Sequence, residues 1–281
     1  MQITELSNFI GLGVAGNFAG HLEQAGEAAD FVAVKVADKV APKALFPFYV
    51  PGHPGQLGVF PLSGEAIFLP EAAVSGDEKV QIEPEVALWC ELAYDGEQVV
   101  AIHPKAFGAY NDCSIRRPNA RKISEKKNWG EESKGLAATL LPLGHFAPGC
   151  ELDDYRIACY LERDGELHPY GVDSAAVDYS YFHQQLLDWA IDKFNHQQDE
   201  GPAEHIQGLL AQAGRPAHAL ISIGATRYTP FGETHFLAPG DTACVVVYPA
   251  SRYGEADIRE AIRSRTFGPD VSALLQAVRV R

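Results

Sequence analysis

Two carboxylates stand at i and i+2 in Gln81-Ile82-Glu83-Pro84-Glu85-Val86. In an extended chain such residues share one face, and like charges beside an apolar run are costly unless a cation neutralises them. A hard divalent ion with oxygen ligands would do so, and Asp112, in Asn111-Asp112-Cys113-Ser114-Ile115-Arg116, offers a third carboxylate. On spacing alone, a solvated acidic turn is the simpler explanation of the same residues.

A second pattern, Gly11-x-Gly13-x-x-Gly16, matches the dinucleotide fingerprint. It follows an expected short strand over 8–10, opens a helix-like stretch over 16–28, and has Asp38 where a ribose-binding acid belongs. Pro42, Pro47, Pro51, Pro54, Pro61 and Pro70 then follow with no helix between them, so the further βα units of a doubly wound sheet are missing. An NAD(P)-dependent oxidoreductase is therefore a rival reading. The motifs H-E-x-x-H, G-x-S-x-G and G-x-x-x-x-G-K-[ST] are absent.

The elements that would position these residues are mostly strands. Apolar runs between Gly and Pro punctuation predict strands over 31–36, 66–69, 86–92, 155–162, 219–223 and 242–248. Helical periodicity is clearest over 178–198, where Phe182, Leu186, Trp189, Ala190 and Phe194 share a face and Asp178 or Ser180 could cap. Shorter helices are expected from Pro202 to Gly214, after Gly254, and over 271–278. His183, at the start of the long helix, reads as packing. Many strands and few helices predict an α+β or rolled-sheet fold, with a division near residue 75.

The chain has 281 residues and a net charge of −14. Its one dense basic stretch, Arg116 to Lys127, is interrupted by Pro118, Asn119 and Glu125 and reads as a local loop, which argues against nucleic acid. No apolar run is long enough for a membrane span, and the start at Met1 lacks a signal-peptide pattern, so a cytoplasmic protein is expected. The five cysteines are widely spaced without C-x-x-C, which suggests buried thiols rather than disulfides or a structural zinc site.

Five motifs, in order over about residues 11 to 250, resemble the fumarylacetoacetate hydrolase family. Gly16-Asn17-Phe18-Ala19-Gly20-His21 is similar to its G-x-N-Y-x-x-H start. Glu83-Pro84-Glu85 with Leu88 is similar to its E-x-E-L strand, and Asn111-Asp112-Cys113-Ser114-Ile115-Arg116 to its N-D-x-[ST]-x-R turn. Trp129 through Lys134 to Pro142-Leu143-Gly144 resembles its lysine before P-L-G, with the lysine one residue further from the proline. Ile223-Gly224-Ala225-Thr226, followed by Leu237-Ala238-Pro239-Gly240-Asp241, resembles its late G-T-P turn and L-x-x-G-D. Three departures stand out. If Glu85 is the family's first metal-binding Glu, the second falls on Ala87; if the pair is Glu83 and Glu85, Leu does not follow directly; and Arg227 stands where the family has Pro.

The resemblance implies an α+β fold, a mixed β-roll or sandwich of that family's C-terminal-domain type with few helices. It implies an N-terminal portion over 1–75 with a lid, a catalytic β-roll over 76–281, and a homodimer. It implies Mg²⁺ or Mn²⁺ on Glu83, Glu85 and Asp112, and a hydrolase or decarboxylase that cleaves a C-C bond in a 1,3-dicarbonyl or 2-oxo acid, acylpyruvate-like or oxaloacetate-like. His21 would activate water, oriented by Glu23 or Glu27, and Lys134 would stabilise an oxyanion or enolate. Both stand in glycine-flanked segments that read as exposed. Arg116 would tie the Asp112 turn or receive a substrate carboxylate, and Thr226 with the amides near Gly224 would bind such a carboxylate. If Ala87 marks a lost ligand, the same fold would serve as a catalytically silent ligand-binding protein.

Overall fold

A computed structural model describes residues 8–26, 40–117 and 120–280, and the statements below concern those residues. The strand expected over 31–36, with Met1, Glu27, Asp38, Pro118 and Asn119, lies outside them.

Two sheets form the body. The larger contains β1 (Ile10–Ala15), β2 (Ala44–Tyr49), β3 (Leu62–Ser63), β6 (Pro84–Asp95), β7 (Gln98–Asn111), β9 (Lys134–Leu136), β10 (Leu141–Pro142) and β13 (His218–Ser222). Its order is β2-β1-β13-β6-β7-β9-β3, with β10 also on β7. The smaller contains β4 (Ala66–Leu69), β11 (Tyr155–Arg163), β12 (Glu166–Ala175), β14 (Thr242–Pro249) and β15 (Ser272–Val280), ordered β12-β11-β14-β15-β4. A two-stranded ribbon joins β5 (Lys79–Gln81) to β8 (Ser114–Arg116). Pairing is mixed: β1 with β13, β15 with β4 and β3 with β9 are parallel, and the rest antiparallel. Strands from before residue 75 pair with later strands in both sheets.

The helices are α1 (His21–Gln24), α2 (Glu71–Val74), α3 (Ser124–Lys127), α4 (His183–His196), α5 (Ile206–Gln212), α6 (Pro230–Thr234) and α7 (Glu255–Ser264). Among the described residues no helix is long and apolar enough to cross a membrane. The main core lies between the sheets, where Val86, Leu88, Phe107 and Ala109 meet Ile157, Leu161, Val245, Val247 and Leu274. Ile258 and Ile262, one turn apart on α7, cover the outer face of the smaller sheet with Tyr160 and Val246.

Several local expectations are corrected. The Gly11–Gly16 pattern is not a strand-to-helix turn: Gly11 and Gly13 lie inside β1, and among the described residues the next strand, β2, pairs antiparallel with β1 rather than parallel as a Rossmann crossover requires. These glycines make room for aromatic rings, since a Cβ would lie 2.2 Å from the Phe48 ring at Gly11 and 2.2 Å from the Phe46 ring at Gly13. Residues 271–278 are strand β15, whose Ser272, Leu274, Gln276 and Val278 are buried in alternation. The long helix begins at His183 with Phe182 at its cap; Asp178 and Ser180 precede it, and Ala176–Asp178 forms a separate 3-10 turn.

Candidate active site

The β6–β7 ladder brings the carboxylates together. Pro84 pairs with Asn111 and Glu85 with Tyr110, and the Asp112 amide donates to the Glu83 carbonyl at 2.9 Å. Glu83, Glu85 and Asp112 therefore share one end of two adjacent strands, their ligand oxygens within 4.8 Å of one another and all three buried. Ala87 instead packs with Phe48, Tyr110 and Leu220, and it is Glu83 and Glu85 that meet.

The cations around this cluster are fixed in protein contacts. Lys127, at the end of α3, places its Nζ 2.6 Å from Glu83 Oε2 and 2.5 Å from Asp112 Oδ2. Arg116 forms an ion pair with Glu83 Oε1 at 2.9 Å and donates to Gln81 Oε1 at 2.5 Å and to the Tyr228 hydroxyl at 2.8 Å. Lys134 is fully buried, donates to the Asp112 and Cys113 carbonyls at 2.7 and 2.5 Å, and lies in an ion pair 3.1 Å from Asp112 Oδ1. With two of its three N-H donors on those carbonyls, Lys134 acts here as a clamp on the Asp112 turn.

Glu85 is different, because its recorded donor is the Gly224 amide, 2.9 Å from Oε2. Gly224 has φ 118, which other residues rarely adopt, and the Tyr179 hydroxyl holds its carbonyl at 2.7 Å. The electrostatic result is a divided pair. Burial opposes ionisation of Glu83, but Lys127, Arg116 and His21 overcome it and hold the carboxyl well below its ordinary range. Burial, then the nearby Asp112, push Glu85 well above that range.

A cavity of about 20 Å³ lies against this cluster, lined by Glu83, Glu85, Asp112, Lys127, His21 and Phe46 among others. That volume suits a single water or small ion. His21, the first residue of α1, is 5% exposed, not the exposed group expected. Its Nδ1 lies 2.9 Å from the Thr226 carbonyl oxygen, which can only accept, so Nδ1 carries a proton and Nε2 is the basic nitrogen of the neutral ring. Asn17 fixes the start of this segment, its side chain bonded to the Tyr181 and Ile223 carbonyls and the Tyr181 amide.

Of the residues singled out from sequence, Glu83, Glu85, Asp112 and His21 meet at the cavity. Lys134, Arg116 and Thr226 stand behind its wall; Thr226 bonds the Pro84 carbonyl through its amide, and its buried hydroxyl finds no partner among the described residues. Glu23 shares α1 with His21, and Glu27 lies outside the described residues. The residue missed is Lys127. Its signal was present in the basic stretch, whose other members pair with acids: Arg117 with Glu78 and Lys122 with Asp199.

The family described as "Family of unknown function (DUF5718)" matches residues 27–278. No curated protein matches the chain. Among solved structures, Cg1458 with inhibitor is similar at 15% identity and TM-score 0.55, over 97% of this chain and 77% of that one. The apo form of 2-keto-3-deoxy-D-arabinonate dehydratase is similar at 11% identity and TM-score 0.51, over 97% and 73%. Maleylpyruvate hydrolase from Sphingobium sp. SYK-6, solved with manganese(II) and pyruvate, stands further off at 12% identity and TM-score 0.48, over 96% and 70%. The chain thus belongs to the DUF5718 family, and it shares the fold of Cg1458 and of the 2-keto-3-deoxy-D-arabinonate dehydratase.

Proposed function

We propose that the chain is a divalent-cation-dependent hydrolase or lyase that cleaves a C-C bond in a small 1,3-dicarbonyl or 2-oxo acid. The observation that carries this reading is Glu85, a buried carboxylate that accepts from the Gly224 amide and, unlike Glu83 and Asp112, forms no ion pair among the described residues, beside a cavity of about 20 Å³. Three convergent oxygen ligands suit Mg²⁺ or Mn²⁺. Glu83, Glu85 and Asp112 would hold the ion, whose bound form supplies Lewis-acid polarisation of a carbonyl oxygen. Lys127 already neutralises two of these carboxylates, so an incoming ion competes with its ammonium.

His21 takes the proton of the attacking water on Nε2, while the Thr226 carbonyl holds Nδ1-H and fixes the ring. Lys134 and Arg116 position Asp112 and Glu83. Gly16 (φ 73) and Gly20 (φ 84) precede α1 and would serve as hinges if the segment that carries His21 shifts to admit substrate. A soluble homodimer in the cytoplasm belongs to the same proposal.

The test is turnover of acylpyruvates and oxaloacetate with Mg²⁺ or Mn²⁺. His21→Asn, whose amide can still donate to the Thr226 carbonyl, should lower turnover by at least about a hundredfold, the lower end of a general base's contribution. Full activity in that variant, or no turnover by the unaltered protein across the panel, would contradict the proposal. In the second case the silent binding protein becomes the better reading.

A further inference from the structure

A second group of ligand-type side chains lies apart from the carboxylate cavity. Cys150 directly precedes, and Asp153 lies within, a 3-10 turn over Glu151–Asp154 that leads into β11; His183 opens α4. His183 Nε2 lies 2.6 Å from Asp153 Oδ1 and 3.8 Å from Cys150 Sγ, and Cys150 Sγ lies 3.3 Å from Asp153 Oδ1.

We propose that Cys150, Asp153 and His183 bind a zinc ion and so clip the entry to β11 onto the start of α4. The distances support it. Tetrahedral zinc, with Zn–S of about 2.3 Å and Zn–N and Zn–O of about 2.0–2.2 Å, puts sulfur about 3.6 Å from the other ligands and N about 3.4 Å from O. The two sulfur separations already bracket that value. The N to O separation widens by less than about 1 Å when a hydrogen bond gives way to coordination.

The donor set is selective, because thiolate with imidazole and one carboxylate suits zinc, whereas Mg²⁺ and Mn²⁺ prefer oxygen. Two further features are independent of those distances. His183 is held at φ 52, a conformation side chains other than glycine's rarely adopt, and such strain persists where surrounding contacts demand it. The Phe146 and Phe182 rings, 5.3 and 4.3 Å from the imidazole, pack around it, while the Gly149 amide holds the second Asp153 oxygen at 2.7 Å.

The cluster is also reachable. Cys150 is 4% exposed, but the His183 and Asp153 side chains are 16% and 27% exposed, which leaves an entry path and a fourth position for water. On binding, the thiol proton leaves to solvent and the imidazole proton moves from Nε2 to Nδ1, so the ligands become thiolate, neutral imidazole and carboxylate. No C-x-x-C marks the site; it is a C-x-x-D with a histidine 30 residues on.

Cobalt(II) substitution of the chelated full-length protein tests this, because a cysteine ligand gives a near-ultraviolet thiolate-to-metal charge-transfer band. The expected result is that band with intense visible bands of tetrahedral cobalt, both lost in Cys150→Ser and in His183→Gln, and retained in Glu85→Gln. Chelation should also lower the melting temperature of the unaltered protein by several degrees. Absence of the band in the folded unaltered protein, or its survival in Cys150→Ser, would overturn the site, whatever the carboxylate cavity binds.

Discussion

Glu83 and Glu85 stand two residues apart, and their surroundings shift their carboxyl pKa values in opposite directions. Burial raises both, but the Lys127 and Arg116 charges reverse its effect at Glu83, while Asp112 reinforces it at Glu85. Glu83→Gln leaves those cations without their carboxylate, so it should destabilise by about 3–5 kcal/mol. Glu85→Gln should leave the melting temperature nearly unchanged at neutral pH, because burial and Asp112 already disfavour the Glu85 charge and no ion pair among the described residues is lost. Equal losses in both variants, by thermal denaturation without added metal, would contradict this division. Lys127→Met should tighten Mn²⁺ binding at least about tenfold, since the tethered ammonium no longer competes; calorimetry that finds weaker binding would refute the competition. The carboxylates were legible from the i, i+2 spacing and the Asn-Asp turn. Lys127 was not, because its partner Glu83 lies 44 residues away and a charge run carries no local sign of burial. His21 and Lys134 read as exposed because flanking glycine marks a turn, not its depth.

The element that delivers Lys127 is a helix of 4 residues, too short to stand alone. It is held from outside: Ile123 donates its amide to the Pro202 carbonyl at 3.1 Å, Lys122 reaches Asp199 and two carbonyls, and Ser124 donates to Glu204 Oε1 at 3.2 Å. Burial pushes the Glu204 carboxyl up from 4.5 to about 7. Its folded pKa is raised, so its contribution is complete below about pH 4.5 and is lost as pH rises through about 7. Glu204→Gln should therefore lose less stability than the unaltered protein between pH 5 and pH 8, by on the order of 3 kcal/mol; parallel pH profiles of melting temperature would contradict this. Other elements were partly legible. The strands at 66–69, 155–162 and 242–248 and the helix after Gly254 stand within one residue of expectation or start where expected. Strands β7 and β12 were missed although Asp95-Gly96 and Asp164-Gly165 mark the turns before them, and Asp164 (φ 54) and Gly165 (φ 78) have the paired positive φ of a tight hairpin. Residues 271–278 misled because Leu274, Ala277 and Val278 also satisfy a helical step, whereas hydrogen bonding to β14 on one side and β4 on the other makes the segment a strand.

At the scale of the whole molecule, two packed sheets bring residues 21, 83, 85, 112 and 127 to one small cavity. The strand alternation and turn punctuation predicted an α+β architecture, but composition could not say which strands pair, because register depends on contacts between distant segments. The dinucleotide reading failed at this level: its glycines serve packing within one strand of a mixed sheet. What the fold delivers is a buried acidic cluster that its own cations neutralise unevenly, leaving Glu85 to face the cavity. The most direct test is titration of Mn²⁺ into the unaltered protein and Glu85→Gln, followed by the loss of the free-ion paramagnetic resonance signal. The account predicts about one ion bound by the unaltered protein and a loss of affinity of at least about a hundredfold in the folded variant, the loss expected when a ligand to a hard cation is neutralised. Unchanged affinity in Glu85→Gln, or no binding by the unaltered protein, would contradict it.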